Sequence, residues 1–215
     1  MVHNPSLSLK IPKFERKLPE YLTIEEIEKL LRLPEINTFE GLRDLAIMEC
    51  FYGTGMRLTE LINLKLNDIY FDEDLIRVLG KGKKERIIPL GQAAKKILEK
   101  YLAIRPQYAN KSVENVFVLK NGKIMYPMAI QRIIKKYLNQ ISNIQQKSPH
   151  TLRHSYATHL LNSGAGIRVV KDLLGHENLS TTQVYTHLSI DHLKNIYHRA
   201  HPGASETKQN KRRRS

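Results

Sequence analysis

Arg57 follows a Gly-Thr-Gly-Met turn and opens a helix signal, His150 and Arg153 stand three apart where another helix begins, and Tyr185 lies nine residues beyond His176. Residues three apart share a helix face, so His150 and Arg153 present an imidazole and a guanidinium together. An anion at such a helix start would meet free N–H groups, the positive end of the helix dipole and the arginine at once. Taken singly, each of these residues is ordinary. A surface arginine is usually solvated, and a tyrosine beside Val184 usually packs half-buried.

Other chemistry-bearing patterns fail on spacing. Gly80-Lys81-Gly82-Lys83-Lys84 has the glycines and lysines of a phosphate loop, but it lies between two strand signals and lacks the Ser or Thr of a Walker A motif. Asp68, Asp72 and Asp74 do not have calcium-loop spacing and read as solvated turn carboxylates. His150 and His154 stand four apart like zinc-binding histidines, but Thr151 occupies the place where a metalloprotease carries glutamate. No convincing metal or cofactor site emerges.

The elements that must position these residues are mainly helical. Residues 1–22, with Pro5, Pro12 and Pro19, read as a linker or arm. Thr23 and Glu26 form a capping-box pattern before the stripe Ile24, Ile27, Leu30 and Leu31. A second helix is predicted over 41–53, with Cys50 as a buried structural thiol, and a short third over 59–66. Strand signals follow at 69–71, 75–79 and 85–89, separated by the turns at 72–74 and 80–82, which predicts a small antiparallel sheet. Beyond Gln92 come a helix with Ala94, Ile97, Leu98, Tyr101 and Leu102 inward, and a short strand at 116–119. A helix carrying Ile130, Ile133, Ile134, Tyr137, Leu138 and Ile141 comes next. Another starts at Pro149 with Ser148 as its cap, buries Leu152, Tyr156, Leu160 and Leu161, and stops at Gly164-Ala165-Gly166. Short helices continue to about Ala200. The predicted class is α+β: mainly helical, with one small antiparallel three-stranded sheet.

The charge balance says what such a scaffold meets. The 215 residues carry 35 Lys or Arg against 21 Asp or Glu, a formal charge of +14. Ser205–Ser215 holds five of those cations and one acid, a tail expected to be disordered, yet the body remains basic without it. A folded body with that excess points to nucleic acid. A lone cysteine excludes an internally disulfide-stapled scaffold. No apolar run approaches the roughly 20 residues of a membrane span, and there is no signal-peptide core, so a cytoplasmic, membrane-free protein is expected.

Four segments, in order, resemble the catalytic domain of tyrosine recombinases of the phage integrase family, most closely the Xer type. They are Thr54-Gly55-Met56-Arg57-Leu58-Thr59-Glu60-Leu61, Gly80-Lys81-Gly82-Lys83-Lys84-Glu85-Arg86, Ser148-Pro149-His150-Thr151-Leu152-Arg153-His154, and Leu174-Gly175-His176 through Tyr185-Thr186-His187. The resemblance runs from about Leu18 to Pro202. It implies a catalytic domain over residues 23–202, preceded by the linker at 1–22 and followed by the basic tail at 203–215. The N-terminal core-binding domain of the family is not recognisable in this chain.

By that resemblance Tyr185 is the nucleophile that forms a 3′-phosphotyrosyl link, Arg57 and Arg153 hold the nonbridging oxygens, and His176 is a third donor. Lys81 protonates the leaving 5′-oxygen, His150 assists proton transfer at the tyrosine, and Glu60 supports the site without reacting. The chemistry suits these types. A phosphodiester repels nucleophiles, and its charge grows in the transition state, so losing one fixed donor costs about 3 kcal/mol. A phenol with a pKa near ~10 is only about 0.1% ionised at neutral pH and needs a proton acceptor. The covalent link conserves the phosphodiester energy, so neither ATP nor metal is required. The implied partner is a double-stranded recombination site, bound by a homo- or hetero-tetramer whose free form is a monomer. The C-terminal stretch 189–200 would dock on the neighbouring protomer. Two competing expectations stand beside this one: a truncated DNA-binding module that keeps the fold without recombining, and a related topoisomerase without site choice.

Overall fold

Thr23 opens the first helix with a reciprocal cap. Its Oγ1 accepts from the Glu26 N–H at 3.2 Å, while Glu26 Oε2 accepts from the Thr23 N–H at 2.8 Å. In the computed structural model, which describes residues 21–80 and 85–175, that helix is α1 (Ile24–Arg32). Ile27 and Leu30 of α1 are fully buried, worth roughly 2 kcal/mol each by area removed from water. Residues 1–20 of the expected linker at 1–22, residues 81–84, and everything beyond Gly175, including the predicted short helices and basic tail, lie outside the described residues.

The next helix, α2 (Phe39–Thr54), is buried on every side, so it cannot be a surface helix and forms the centre of the fold. It packs chiefly against α4 (Gln92–Ile104) and α6 (Pro149–Asn162). Several of its interior polar groups are paired. Arg43 donates through Nε and Nη2 to Asp44 Oδ1 at 3.0 and 2.7 Å, and Tyr137 OH donates to Asp44 Oδ2 at 3.2 Å. Tyr52 OH bonds His159 Nδ1 at 2.9 Å across the α2–α6 contact. Cys50 is fully buried, and burial pushes its thiol pKa far up, as a structural thiol requires.

A short helix, α3 (Leu58–Asn63), and a 3-10 turn at Leu66–Asp68 lead into the sheet β1 (Ile69–Tyr70), β2 (Leu75–Leu79) and β3 (Glu85–Pro89), antiparallel in that order. Val78 stands opposite Arg86 and Leu79 opposite Glu85 across the hairpin. Two of the turn carboxylates are paired rather than simply solvated. Arg77 donates to Asp68 Oδ1 at 2.7 Å, and Lys95 reaches from α4 to Asp74 Oδ1 at 2.8 Å, fastening the helix to the sheet.

The predicted strand at 116–119 is not one. Val116, Phe117 and Val118 are all fully buried, without the alternation of a strand, and the segment makes only an isolated bridge between Val118 and Ile124. Its backbone is satisfied elsewhere. The Val116 N–H donates to the Leu64 carbonyl at 2.8 Å, and the Val116 carbonyl accepts from Arg105 Nε at 2.9 Å and Tyr101 OH at 3.2 Å.

Helices α5 (Pro127–Ile141), α6 and α7 (Ile167–Leu174) complete the α+β fold. Ser148 occupies the position before Pro149, but its Oγ makes no cap bond. The Ser155 hydroxyl, bonded back to the Thr151 carbonyl at 2.8 Å, accepts the Leu22 N–H at 2.9 Å. That contact ties the residues just before α1 to α6.

Candidate active site

Three helix ends meet at one place. Helix α2 stops because Gly55 adopts φ +63°, a left-handed conformation that costs glycine little. A Cβ there would stand 2.6 Å from the Tyr156 ring and 2.9 Å from a Leu174 methyl, so side-chain packing as well as conformation requires glycine. Met56, fully buried, pins the turn, and Arg57 follows as the cap residue of α3. Glu60, one turn later, accepts the Arg57 backbone N–H at 2.7 Å and Arg57 Nη1 at 3.2 Å. The spacing Arg57-x-x-Glu60 therefore builds a local cap that orients the guanidinium.

Arg153 arrives from the first turns of α6. Its Nη1 donates to the Gly55 carbonyl and its Nη2 to the Leu174 carbonyl at 2.6 Å. Arg86 comes from β3, donating through Nη1 and Nη2 to Glu60 Oε1 and Oε2 at 2.6 and 2.8 Å and through Nε to the Leu173 carbonyl at 3.1 Å. Arg57 Nη2 donates to the Gly175 carbonyl at 2.5 Å. The consecutive carbonyls of Leu173, Leu174 and Gly175 are thus each taken by a different arginine. These groups end α7, where carbonyls lack helical partners and the dipole favours cations.

The electrostatics follow from this crowding. Burial, then the neighbouring charges of Arg57 and Arg86, push the Arg153 pKa down to about 10, against some support from Glu60. Burial alone would push the Glu60 carboxyl up, but the hydrogen bonds and charge of Arg86 and the contacts of Arg57 outweigh it and hold it below the usual carboxylate range. Three guanidiniums surround one carboxylate, and Glu60 already accepts four hydrogen bonds. The cluster is suited to an anion, not to a metal cation.

The structure therefore brings together Arg57, Glu60 and Arg153. His150 is exposed on the first turn of α6, one turn before Arg153. Lys81, His176 and Tyr185 lie outside the described residues. Arg86 carries no role in the sequence reading, although it ends one of the quoted segments. The available signal was an arginine on the strand that follows the Gly-Lys-Gly segment, two residues before the buried Ile88.

Comparison with known proteins gives a consistent result. The model of the Phage integrase family matches residues 20–192. The tyrosine recombinase XerC of Thermodesulfovibrio yellowstonii is 43% identical over 208 residues, covering 94% of this chain and 69% of that protein. XerD of Listeria monocytogenes is 44% identical over 207 residues, covering 95% of this chain and 70% of the relative. Among solved structures, the crystal structure of XerA recombinase superposes with a TM-score of 0.67 at 34% identity, covering 84% of this chain and 65% of that one. XerH site-specific recombinase in its post-cleavage complex with a palindromic difH substrate gives a TM-score of 0.67 at 26% identity, over 83% of this chain and 52% of that one. The chain thus spans a little over two thirds of those curated relatives, and less of the two solved recombinases.

Proposed function

The chain belongs to the phage integrase family, as an Xer-type tyrosine recombinase, and on that premise we propose that it cleaves and rejoins duplex DNA at a specific site through a 3′-phosphotyrosyl intermediate. The observation that carries this reading is the convergence of Arg57 and Arg153 on one spot, each held by backbone carbonyls and oriented beside the buried Glu60. A guanidinium has five donors, so hydrogen bonding to two acceptors leaves N–H groups for phosphate oxygens.

In this reading the Tyr185 oxygen attacks the scissile phosphorus while His150 assists departure of the phenolic proton. Arg57, Arg153 and His176 stabilise the charge that grows on the nonbridging oxygens. The bond from phosphorus to the 5′-oxygen breaks, and Lys81 supplies the proton that makes the leaving group a 5′-hydroxyl. Rejoining reverses each step with a new 5′-hydroxyl. Synapsis of two sites in a homo- or hetero-tetramer, action in the cytoplasm, and a role in chromosome dimer resolution or mobile-element integration belong to the same proposal. Among the described residues no helix is long and apolar enough to cross a membrane.

A nicked suicide duplex carrying a recombination site tests the reading directly. The expected result is a covalent protein–DNA adduct that disappears in Tyr185→Phe. Measurable duplex binding with no adduct at any salt or protein concentration would leave a DNA-binding module and overturn the enzyme. Lys81→Ala should slow cleavage, and a 5′-bridging phosphorothioate, whose thiolate leaves without a proton, should restore it.

A further inference from the structure

Resting on that strand-cleavage reading, we propose that Arg86 is a positioning residue of the site, one that holds Glu60 so that Arg57 stays available to the phosphate. The division of labour between the two arginines is visible in their contacts. Arg86 grips both Glu60 oxygens in a fork, at 2.6 and 2.8 Å, whereas the Arg57 side chain reaches Glu60 once, at 3.2 Å. The Arg86 side chain is 13% exposed and that of Arg57 35%. All three nitrogens of the Arg86 guanidinium group are engaged, the third on the Leu173 carbonyl. Arg86 therefore braces the site from inside, while Arg57 faces outward.

Its place in the fold makes that brace matter. Arg86 sits on β3 opposite Val78, at the base of the hairpin whose connection includes Lys81, and it joins this strand to α3 through Glu60 and to α7 through Leu173. A Cβ on Gly175 would stand 3.0 Å from Arg86 Nη1 and 3.3 Å from Arg57 Nη1, so the two guanidiniums lie close together beneath the end of α7. Two like charges at that separation repel unless a counter-charge joins them, and Glu60 does so. Without Arg86, the buried carboxylate keeps Arg57 as its one hydrogen-bonding guanidinium among the described residues. It then draws that side chain away from the substrate.

Single-turnover cleavage of the nicked duplex, measured over a range of protein concentrations, tests this. Arg86→Gln should slow cleavage at saturation by about ten- to a hundredfold, the scale of a small misplacement of a reacting group, and leave the half-saturating concentration within about threefold. Adding Glu60→Gln to it removes the pull on Arg57 and should return cleavage by about threefold or more, a non-additive response that general loosening of the fold does not produce. Arg86→Lys keeps the charge but not the fork, and should fall between wild type and Arg86→Gln. This variant carries the test should Arg86→Gln fail to fold. Cleavage by a folded Arg86→Gln or Arg86→Lys protein at the wild-type rate overturns the proposal. So does a loss confined to half-saturation, or a double variant with additive losses. Absence of an adduct with the wild-type chain overturns the strand-cleavage reading itself, a result distinct from all of these.

Discussion

At the scale of single residues, the site separates charges that hold the fold from charges left facing outward. Arg57 belongs to the second group, because Arg86 keeps Glu60 bridged when the Arg57 side chain is removed. Arg57→Ala should therefore leave the thermal midpoint nearly unchanged while cleavage of a suicide duplex falls by about 10²–10³-fold, the usual result of losing one preorganised donor to a transition-state oxyanion. Glu60 belongs to the first group, and its acid behaviour has a definite sign. Its folded pKa lies below the ordinary value, so its stabilisation is present above about pH 4.5 and is lost as pH falls through the folded pKa. Urea denaturation should accordingly show Glu60→Gln less stable than wild type at neutral pH, with the difference shrinking as the pH drops below about 4.5. A difference that grew with acidification would contradict the ion-pair account. Arg57 and Arg153 stood out in sequence because a turn and a helix start leave local marks, and Glu60 was singled out by the family resemblance. Arg86 did not stand out, since its partners lie 26 and 87 positions away and a strand arginine alone reads as solvated.

At the scale of elements, the site depends on where helices stop. Helix α2 is buried all round and ends at Gly55, so the position of Arg57 is set by the most deeply packed element in the described fold. Helix α7 ends at Gly175, also left-handed at φ +66°, with its terminal carbonyls facing the arginines. Gly55 was visible in sequence as part of a helix-ending turn. That two such ends face each other was not, because it depends on the packing of α6 between them. The segment at 116–119 failed as a strand for a related reason: its β-forming residues are there to be buried, and Tyr101 and Arg105 supply hydrogen bonds that a neighbouring strand would otherwise make. Gly55→Ala tests the helix-end argument. The added methyl meets the Tyr156 ring and a left-handed backbone together, so stability should fall by about 1–3 kcal/mol. Because the Gly55 carbonyl also receives Arg153, cleavage should fall further than the lost stability explains. Denaturation and single-turnover cleavage on the same preparation separate the two effects.

At the scale of the whole molecule, the +14 charge and the small arginine cluster answer different questions. Affinity for a polyanion comes from the number of phosphates neutralised, wherever they lie on the surface, and each releases condensed counterions. Chemistry depends instead on a few groups at one phosphate. With six or more phosphate contacts, duplex affinity should fall by about a thousandfold or more between roughly 50 and 200 mM salt, for specific and unrelated sequences alike. Arg57→Ala removes one contact, so the slope of log affinity against log salt should become shallower by only about one, even as cleavage nearly disappears. Fluorescence titrations of a labelled duplex across that salt range measure the slope directly. Were Arg57→Ala to flatten it by several units, binding would be concentrated in the cluster, and the basic surface would contribute little. A slope change near one with a collapse in cleavage would instead place binding across the molecule and reaction at the meeting point of α2, α6 and α7.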